Sequence, residues 1–370
     1  MGQHWSSEDV LFDGDLFFER MIQDIEIAVK EVTVEVYIFS PDELGNRLIK
    51  AILDAKARGL RVCVLVDGVG SYQFFDNHFG QLQASGVEVK VYNPLPLYHP
   101  FYGNLSWRRK LRIFLQRFLR INKRDHRKIV TIDQRILYIS SFNITAEHTS
   151  LSPFAKWKDI GVRVTGINVM EAVIHFKKVF HAKDYSQYKK QFKKHLRKIS
   201  PLRFNLPKRE RINHVKKAQH HIWFMTPYFI PDRKLVTALA QAAKSGVDVR
   251  LLTSLKSDVE VFRTLQFIYY DYLSKNGVKI YQYADTILHA KTYIVDDWVM
   301  IGSSNLNQRS LIHDLEADII LEEPTNIQMV KRDFEKSLFG LEAISQDFLL
   351  KRSSWDKFLS KLFYLFKYWF

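Results

Sequence analysis

His126-Arg-Lys128-Ile-Val-Thr-Ile-Asp133 returns in the second half of the chain as His289-Ala-Lys291-Thr-Tyr-Ile-Val-Asp296. Both are H-x-K-x4-D, and a similar tail follows each: Ser140-Ser141-Phe142-Asn143 after the first, Gly302-Ser303-Ser304-Asn305 after the second. One such motif says little. Two copies with matching Ser-x-Asn tails mark an internal duplication.

The flanking sequence repeats in the same order. In the first half Thr33–Phe39 reads as a strand. Leu48, Ile49, Ile52, Leu53 and Ala57 then follow a helical period that stops at Gly59, and Leu60–Val66 reads as a buried strand. In the second half Ile222–Thr226 is the strand. Leu235, Leu239, Ala242 and Ala243 mark the helix that ends at Gly246, and Val247–Leu252 is the next strand. Each half then has a helical stretch ending at Gly86 or Gly277, a strand from Val87 or Val278, and its H-x-K motif. Strands alternating with amphipathic helices predict an α/β class chain: two tandem pseudo-twofold α/β/α domains with one active site at their interface. The domains expected are residues 1–182, with an insertion at about 94–122, and residues 218–345. A basic linker at 183–217 joins them, and an aromatic amphipathic tail covers 346–370.

The insertion arises because Gly86 and His126 are 40 residues apart, whereas Gly277 and His289 are 12 apart. It holds Leu97, Tyr98, Phe101, Tyr102 and Trp107. Then comes Arg108-Arg109-Lys110-Leu111-Arg112-Ile113-Phe114-Leu115-Gln116-Arg117-Phe118-Leu119-Arg120, apolar on one helical face with basic flanks. That is the pattern of an interfacial helix on anionic lipid, set against the plainer reading of a helix packed on its own domain. Trp355, Phe358, Leu359, Leu362, Phe363, Phe366, Trp369 and Phe370 repeat the pattern in the tail, beside Lys357, Lys361 and Lys367.

The net charge of +15 calls for a polyanionic partner, a membrane surface or nucleic acid. The single cysteine, Cys63, excludes an internal disulfide. No run is long and apolar enough for a membrane span, and no signal peptide is expected. The expected location is therefore peripheral, on the cytoplasmic face of a bacterial cell membrane. No Cys/His cluster has zinc spacing and no glycine-rich loop fits a nucleotide, so neither metal nor other cofactor is expected.

On a strand, the His and Lys of H-x-K point to the same side. Two copies bring two imidazoles, two ammoniums and two Asn amides to one cavity, which suits a phosphodiester. Lys128, Lys291, Ser141, Asn143, Ser303 and Asn305 hold phosphate oxygens. One of His126 and His289 attacks phosphorus, and the other moves protons to and from the exchanging alcohols. Asp133 and Asp296 close the catalytic motifs as orienting and strand-to-turn residues rather than reacting groups.

These residues resemble the phospholipase D superfamily and, within it, the bacterial cardiolipin synthases, most closely the short type without N-terminal membrane spans. The resemblance runs from Val34-Glu35-Val-Tyr-Ile-Phe-Ser-Pro-Asp42-Glu-Leu-Gly45 to the aromatic tail. It includes both motifs, Ser141-Phe-Asn143-Ile-Thr-Ala-Glu147-His148, Pro227-Tyr228-Phe229-Ile-Pro231 and Gly302-Ser-Ser-Asn305-Leu-Asn-Gln-Arg309-Ser310. It implies phosphatidyl exchange through a phosphohistidine. The substrates implied are phosphatidylglycerol as donor and acceptor, or phosphatidylethanolamine with it. It also implies a histidine-orienting carboxylate after each motif, Asp159 and Glu316. Two positions depart from the pattern: Ser140 stands where Gly usually precedes the Ser, and Asp314 stands where Asn is frequent. A nuclease of the same fold and a non-enzymatic membrane module are the rival readings. The lipid-facing insertion and tail weigh against the first, so no nucleic acid partner is expected. The two intact motifs weigh against the second. Oligomeric state is not readable.

Overall fold

The computed structural model describes residues 4–96, 106–182, 201–257 and 260–365. About a third of the insertion (97–105), half of the expected linker (183–200) and the end of the aromatic tail (366–370) lie outside them.

The first half runs β1 (Ser7–Leu11), α1 (Gly14–Glu26), β2 (Glu31–Val36), α2 (Glu43–Ala57), β3 (Arg61–Asp67), two short helical turns α3 (Tyr72–Phe74) and α4 (Gly80–Ala84), and β4 (Glu88–Tyr92). It continues with α5 (Trp107–Phe118) in the insertion, then β5 (Ile129–Ile132), β6 (Ile136–Ser140), β7 (Gly161–Thr165) and α6 (Met170–His181). The second half runs β8 (Leu202–Phe204), α7 (Lys208–Lys217), β9 (His221–Met225), β10 (Phe229–Ile230), α8 (Arg233–Lys244), β11 (Asp248–Ser254), α9 (Glu260–Lys275) and β12 (Lys279–Tyr283). Then follow β13 (Thr292–Val295), β14 (Trp298–Gly302), β15 (Leu306–Asn307), α10 (Gln308–Ile312), β16 (Ala317–Ile320) and α11 (Pro324–Ser337). Two tail helices end it, α12 (Gln346–Lys351) and α13 (Ser354–Leu365).

Two seven-stranded sheets form, in the orders β1-β7-β6-β5-β2-β3-β4 and β8-β16-β14-β13-β9-β11-β12. The orders match strand for strand, so the duplication read in sequence is a duplication of structure. The same local physics recurs. Asp42 and Asp232 cap α2 and α8 by accepting from the backbone N–H three residues on. Gly59 and Gly246 both leave those helices at φ +90°, a conformation that L side chains rarely adopt.

Each half has its own apolar core between sheet and helices. A third core is shared: Ile129, Leu137, Ile139, Val162 and Val164 of the first sheet meet Met225, Ile294, Val299, Ile301 and Ile319 of the second. The sheets thus pack face to face, which brings the two H-x-K strands together. The edges interlock as well. The Glu8 carboxylate on β1 accepts from Glu322 N at 3.0 Å and Glu323 N at 3.2 Å, at the start of α11.

Two expected boundaries change. Residues 201–217 are not linker. Leu202 and Phe204 are buried on edge strand β8, and Arg211 and Val215 are buried on α7. The basic composition masked a strand only three residues long. The tail is also not purely interfacial. In α13 the buried Ser360 hydroxyl donates to Thr264 O of α9 at 2.9 Å, and Phe363 and Tyr364 pack on the second core. Trp355, Phe358, Leu362 and Leu365 on the same helix face outward. Helix α5 differs again, because it buries no residue at all. None of the described helices is long and apolar enough to cross a membrane.

Candidate active site

Each motif histidine is set just before its strand and pinned by the opposite half. His126 N donates to Leu315 O at 2.9 Å, and His289 N donates to Lys158 O at 2.8 Å. Leu315 and Lys158 immediately precede Glu316 and Asp159. The orienting carboxylates are consequently exchanged between halves. His289 Nδ1 lies 2.7 Å from Asp159 Oδ2, and His126 Nδ1 lies 3.1 Å from both oxygens of Glu316. Neither half can pair its motif histidine with a carboxylate of its own in this way.

The lysines lie under the histidines. Lys128 Nζ donates to His126 O at 2.6 Å, and Lys291 Nζ to His289 O at 2.6 Å. Lys291 Nζ is also 3.0 Å from His289 Nε2, whereas no hydrogen bond reaches His126 Nε2 among the described residues. Arg127, between the first His and Lys, is fully buried on Asp125 (2.9 Å) and Glu35 (2.5 Å). Its counterpart is Ala290.

Both histidines open onto one cavity of about 160 Å³, with Asn143, Asn305, Tyr37, Trp157, Tyr228, Phe262, Asn307, Arg309 and Asp314 in its wall. Asn143 and Asn305 are buried in its wall, and their side-chain oxygens carry no hydrogen bond. Ser141 and Ser303 are held instead. The Ser141 hydroxyl donates to Asp159, with the Ile160 carbonyl oxygen 3.0 Å away, and the Ser303 hydroxyl donates to Glu316 and accepts from Ala317 N at 2.9 Å, so both brace the carboxylates. The orienting role expected of Asp133 and Asp296 is corrected, while their place where strand becomes turn stands. They sit at the far ends of β5 and β13 with φ +53° and +51°. Each accepts from three backbone N–H groups, those of Val29, Lys30 and Glu31, or of Gln219, His220 and His221. They fold the motif's hairpin and orient no histidine.

Ser140 is explained by the strand opposite. It pairs with Gly161, whereas Gly302 pairs with Asp318. A Cβ on Gly161 would come within 3.0 Å of the Ser140 Cβ and 2.4 Å of the Phe17 ring. The crossing has room for one side chain, and the halves place it on opposite strands. Asp314 is buried, accepts from Arg124 N at 3.2 Å and lies 3.4 Å from Arg309. Burial raises its pKa to about 6.

The electrostatics of the two pairs differ. Burial, and then Lys128 and Lys291, hold His126 well below the ordinary histidine pKa, so its imidazole is neutral. Burial pushes Glu316 well above the usual carboxylate range. Asp159 goes the other way. Burial opposes its charge, but the charge and hydrogen bond of His289 outweigh burial and keep it below the ordinary value. Burial, followed by repulsion from Lys291, brings Lys128 down to about 7. Among the described residues, the one cluster with metal-like spacing is His148, Asp159 and His289, in which His289 Nδ1 is already engaged by Asp159 Oδ2.

Sequence reading assigned no role to Tyr37, Trp157, Tyr228, Phe262, Asn307, Arg309 or His148. Arg309 and His148 had a legible signal, since both lie in the tails that follow the repeated Asn.

A model of the family described as cardiolipin synthase, PLD-like domain, matches residues 21–182 and 212–338. The chain belongs to this family of phospholipase D-like phosphatidyltransferases. Cardiolipin synthase B of Salmonella typhi is 30% identical over 94% of this chain and 84% of its own length. The cardiolipin synthase of Clostridium perfringens strain SM101 is 27% identical over 93% and 73%. Among solved structures, phosphatidylserine synthase of Haemophilus influenzae Rd KW20 superposes with a TM-score of 0.71 at 13% identity, over 97% of this chain and 92% of that one, a likeness of fold.

Proposed function

We propose that the protein transfers a phosphatidyl group from a phospholipid donor to the hydroxyl of phosphatidylglycerol, making cardiolipin through a phosphohistidine. Phosphatidylglycerol is the donor, with phosphatidylethanolamine the alternative. One observation carries this: two His–carboxylate pairs built across the halves face one cavity, and only His126 keeps its Nε2 unengaged. A neutral imidazole that donates Nδ1–H to Glu316 presents a lone pair at Nε2, as a nucleophile requires.

In the first half-reaction a bond forms from His126 Nε2 to phosphorus. The phosphorus–oxygen bond to the leaving glycerol breaks, and a proton from His289 Nε2 passes to that oxygen. In the second half-reaction the acceptor hydroxyl gives its proton to His289 as its oxygen bonds phosphorus, and the N–P bond breaks. Lys128, Lys291, Asn143 and Asn305 hold the phosphate oxygens as charge develops.

A cavity of about 160 Å³ takes a phosphodiester and its nearest atoms; pockets for drug-sized ligands start at roughly 300 Å³. The acyl chains therefore stay in the bilayer and the cavity mouth rests against the headgroups. Helix α5 and the outer face of α13 supply the apolar and basic surface for that contact, peripheral on the cytoplasmic face. Defined lipids in vesicles, with products read by mass spectrometry, test the reaction: cardiolipin plus glycerol is expected. Acid-labile, base-stable label should be trapped on His126. Phosphatidic acid as sole product, or label on His289, would overturn it.

A further inference from the structure

Helix α9 forms the wall of two different hollows. Phe262, near its start, lines the active cavity. Phe267 and Ile268, further along, line a second hollow of about 390 Å³, whose other walls are the tail helices α12 and α13 and the turn between them. The two hollows share no lining residue. The second is more than twice the volume of the first and falls in the size range of small-molecule sites.

Its lining is of two kinds. Phe267, Ile268, Leu349, Leu350 and Tyr364 are apolar or aromatic. Lys275, Arg352, Lys357 and Lys361 are cations, against Asp271 alone. Asp271 is already matched by Lys275, at 2.8 Å on the next turn of α9. Among the described residues, no carboxylate lies within ion-pair distance of the other three cations. Lys357 Nζ donates to Leu350 O at 2.7 Å and Arg352 to Ser360 Oγ at 3.1 Å, so both are held in place without being neutralised. The half-buried Arg352 guanidinium also lies 4.1 Å from the centroid of the Phe267 ring, and burial there disfavours its charge. A cation drawn partly out of water without a counter-ion carries a cost that an anionic ligand offsets.

An apolar hollow with three uncompensated cations fits a ligand that is apolar along its length and anionic at one end. The bilayer supplies such molecules. Trp355, Phe358, Leu362 and Leu365 project outward from α13, the helix that also walls the hollow. A helix held at a bilayer surface by those side chains has its flanks among the lipid headgroups. We propose that the hollow is a lipid site. It takes one anionic phospholipid from the bilayer, with part of an acyl chain against Phe267, Ile268 and Tyr364 and the phosphate on Arg352 and Lys361. The site rests on the membrane contact proposed for α13 and not on the chemistry at His126 and His289. It differs from the outer face of α13, which meets the bilayer as a whole and selects no single lipid.

Photoreactive lipids test this, because they report where an acyl chain lies. The full chain is mixed with vesicles of phosphatidylglycerol and phosphatidylcholine in equal parts. The vesicles carry a trace of diazirine-acyl lipid with either a glycerol or a choline headgroup. After irradiation the labelled residues are mapped by mass spectrometry. The phosphatidylglycerol probe should label Phe267 and Tyr364 in the hollow as well as Trp355 and Phe358 on the outer face. The phosphatidylcholine probe should label the outer face equally and the hollow roughly 10-fold less or weaker still. Arg352→Gln with Lys361→Gln should cut the label in the hollow roughly 10- to 30-fold and leave that on the outer face within about threefold. Ile268→Trp, which fills the hollow and keeps its charges, should remove the label at Phe267 and Tyr364. Turnover of a short-chain soluble phosphodiester, unchanged in both variants, shows that each is folded. Label on the outer face with none in the hollow would overturn the lipid site and leave the membrane contact standing. Equal labelling of the hollow by the two probes, or label there that survives either variant, would do the same. No label anywhere on α13 would overturn the membrane contact and the lipid site together.

Discussion

His126 on Glu316 and His289 on Asp159 are the same construction made twice, yet their surroundings set them to different states. Glu316 is longer, is braced by two serine hydroxyls, and is pushed toward its neutral form by burial. Asp159 is shorter, receives His289 on one oxygen and Ile160 N on the other, and keeps its charge. Lys291 reaches the reactive nitrogen of His289, and Lys128 does not reach that of His126. A duplicated fold begins with two equal sites. Ping-pong transfer needs one nucleophile and one acid–base group, and pairs of titratable groups whose environments push their pKa values apart supply such a division of labour.

Alanine substitution should break that comparison with the largest effect. His126→Ala and His289→Ala should each lower transfer between phospholipids by roughly three or more orders of magnitude. On a p-nitrophenyl phosphodiester they should part: His126→Ala stays inactive, and His289→Ala still releases a burst of nitrophenolate. Stopped-flow absorbance reads both. A burst from His126→Ala and none from His289→Ala would reverse the roles.

The duplication, the strand and helix order and the six groups His126, Lys128, Asn143, His289, Lys291 and Asn305 were legible because they repeat in sequence. The exchange of Asp159 and Glu316 between halves was not. It depends on how two sheets pack, and no local pattern encodes that. Ser141 and Ser303 were misassigned because they stand two residues from the asparagines, on a chain whose alternate hydroxyls turn back toward the carboxylates. Asp133 and Asp296 belong to the motif by spacing, but their conserved spacing within this chain serves a hairpin turn. His148 was quoted as the end of a motif but given no role, because its counterpart five residues after the second Asn is a serine.

Lys128 sharpens the comparison through pH. Its ordinary pKa near 10.5 falls to about 7 in the fold, chiefly by burial. Between those values the unfolded chain holds the proton and the folded chain does not, so this group's contribution to stability rises with pH across that window. Below pH 7 the buried charge imposes its full cost. Lys128→Met should abolish transfer and yet raise stability at pH 6, by on the order of 1 kcal/mol or more, with the gain fading toward pH 10. Urea unfolding at the two pH values checks it. A loss of stability at pH 6 would mean that Glu316 fully compensates the ammonium.

The smallest expected effect concerns the two surfaces assigned to the membrane, which are not equivalent. Helix α5 is apolar and basic with no buried residue; Trp107 is 69% exposed and Leu119 80%. Its C-terminal end is nonetheless tied to the catalytic wall. Asn93 Nδ2 holds Arg120 O at 2.6 Å and Lys123 O at 2.9 Å, and Arg124 follows, with its N–H on Asp314 at the cavity. A bilayer contact at α5 is thereby fixed close to His126. Helix α13 has already spent one face on α9, so deleting the chain after Lys351 would strip Phe363 and Tyr364 from the core and confuse binding with folding. Point substitutions avoid this. Charge reversal to Glu at Arg108, Arg109 and Arg112 should weaken binding to phosphatidylglycerol vesicles by ~1 kcal/mol per charge, and the loss should shrink as salt rises. Trp355→Ala with Phe358→Ala should weaken binding at every salt concentration, because the lost contact is apolar. Activity on a short-chain soluble phosphodiester should not change in either variant. Vesicle co-sedimentation across a salt series separates the two surfaces. Equal binding by the reversed and native proteins at low salt would remove α5 from the membrane contact and leave α13 as its sole support.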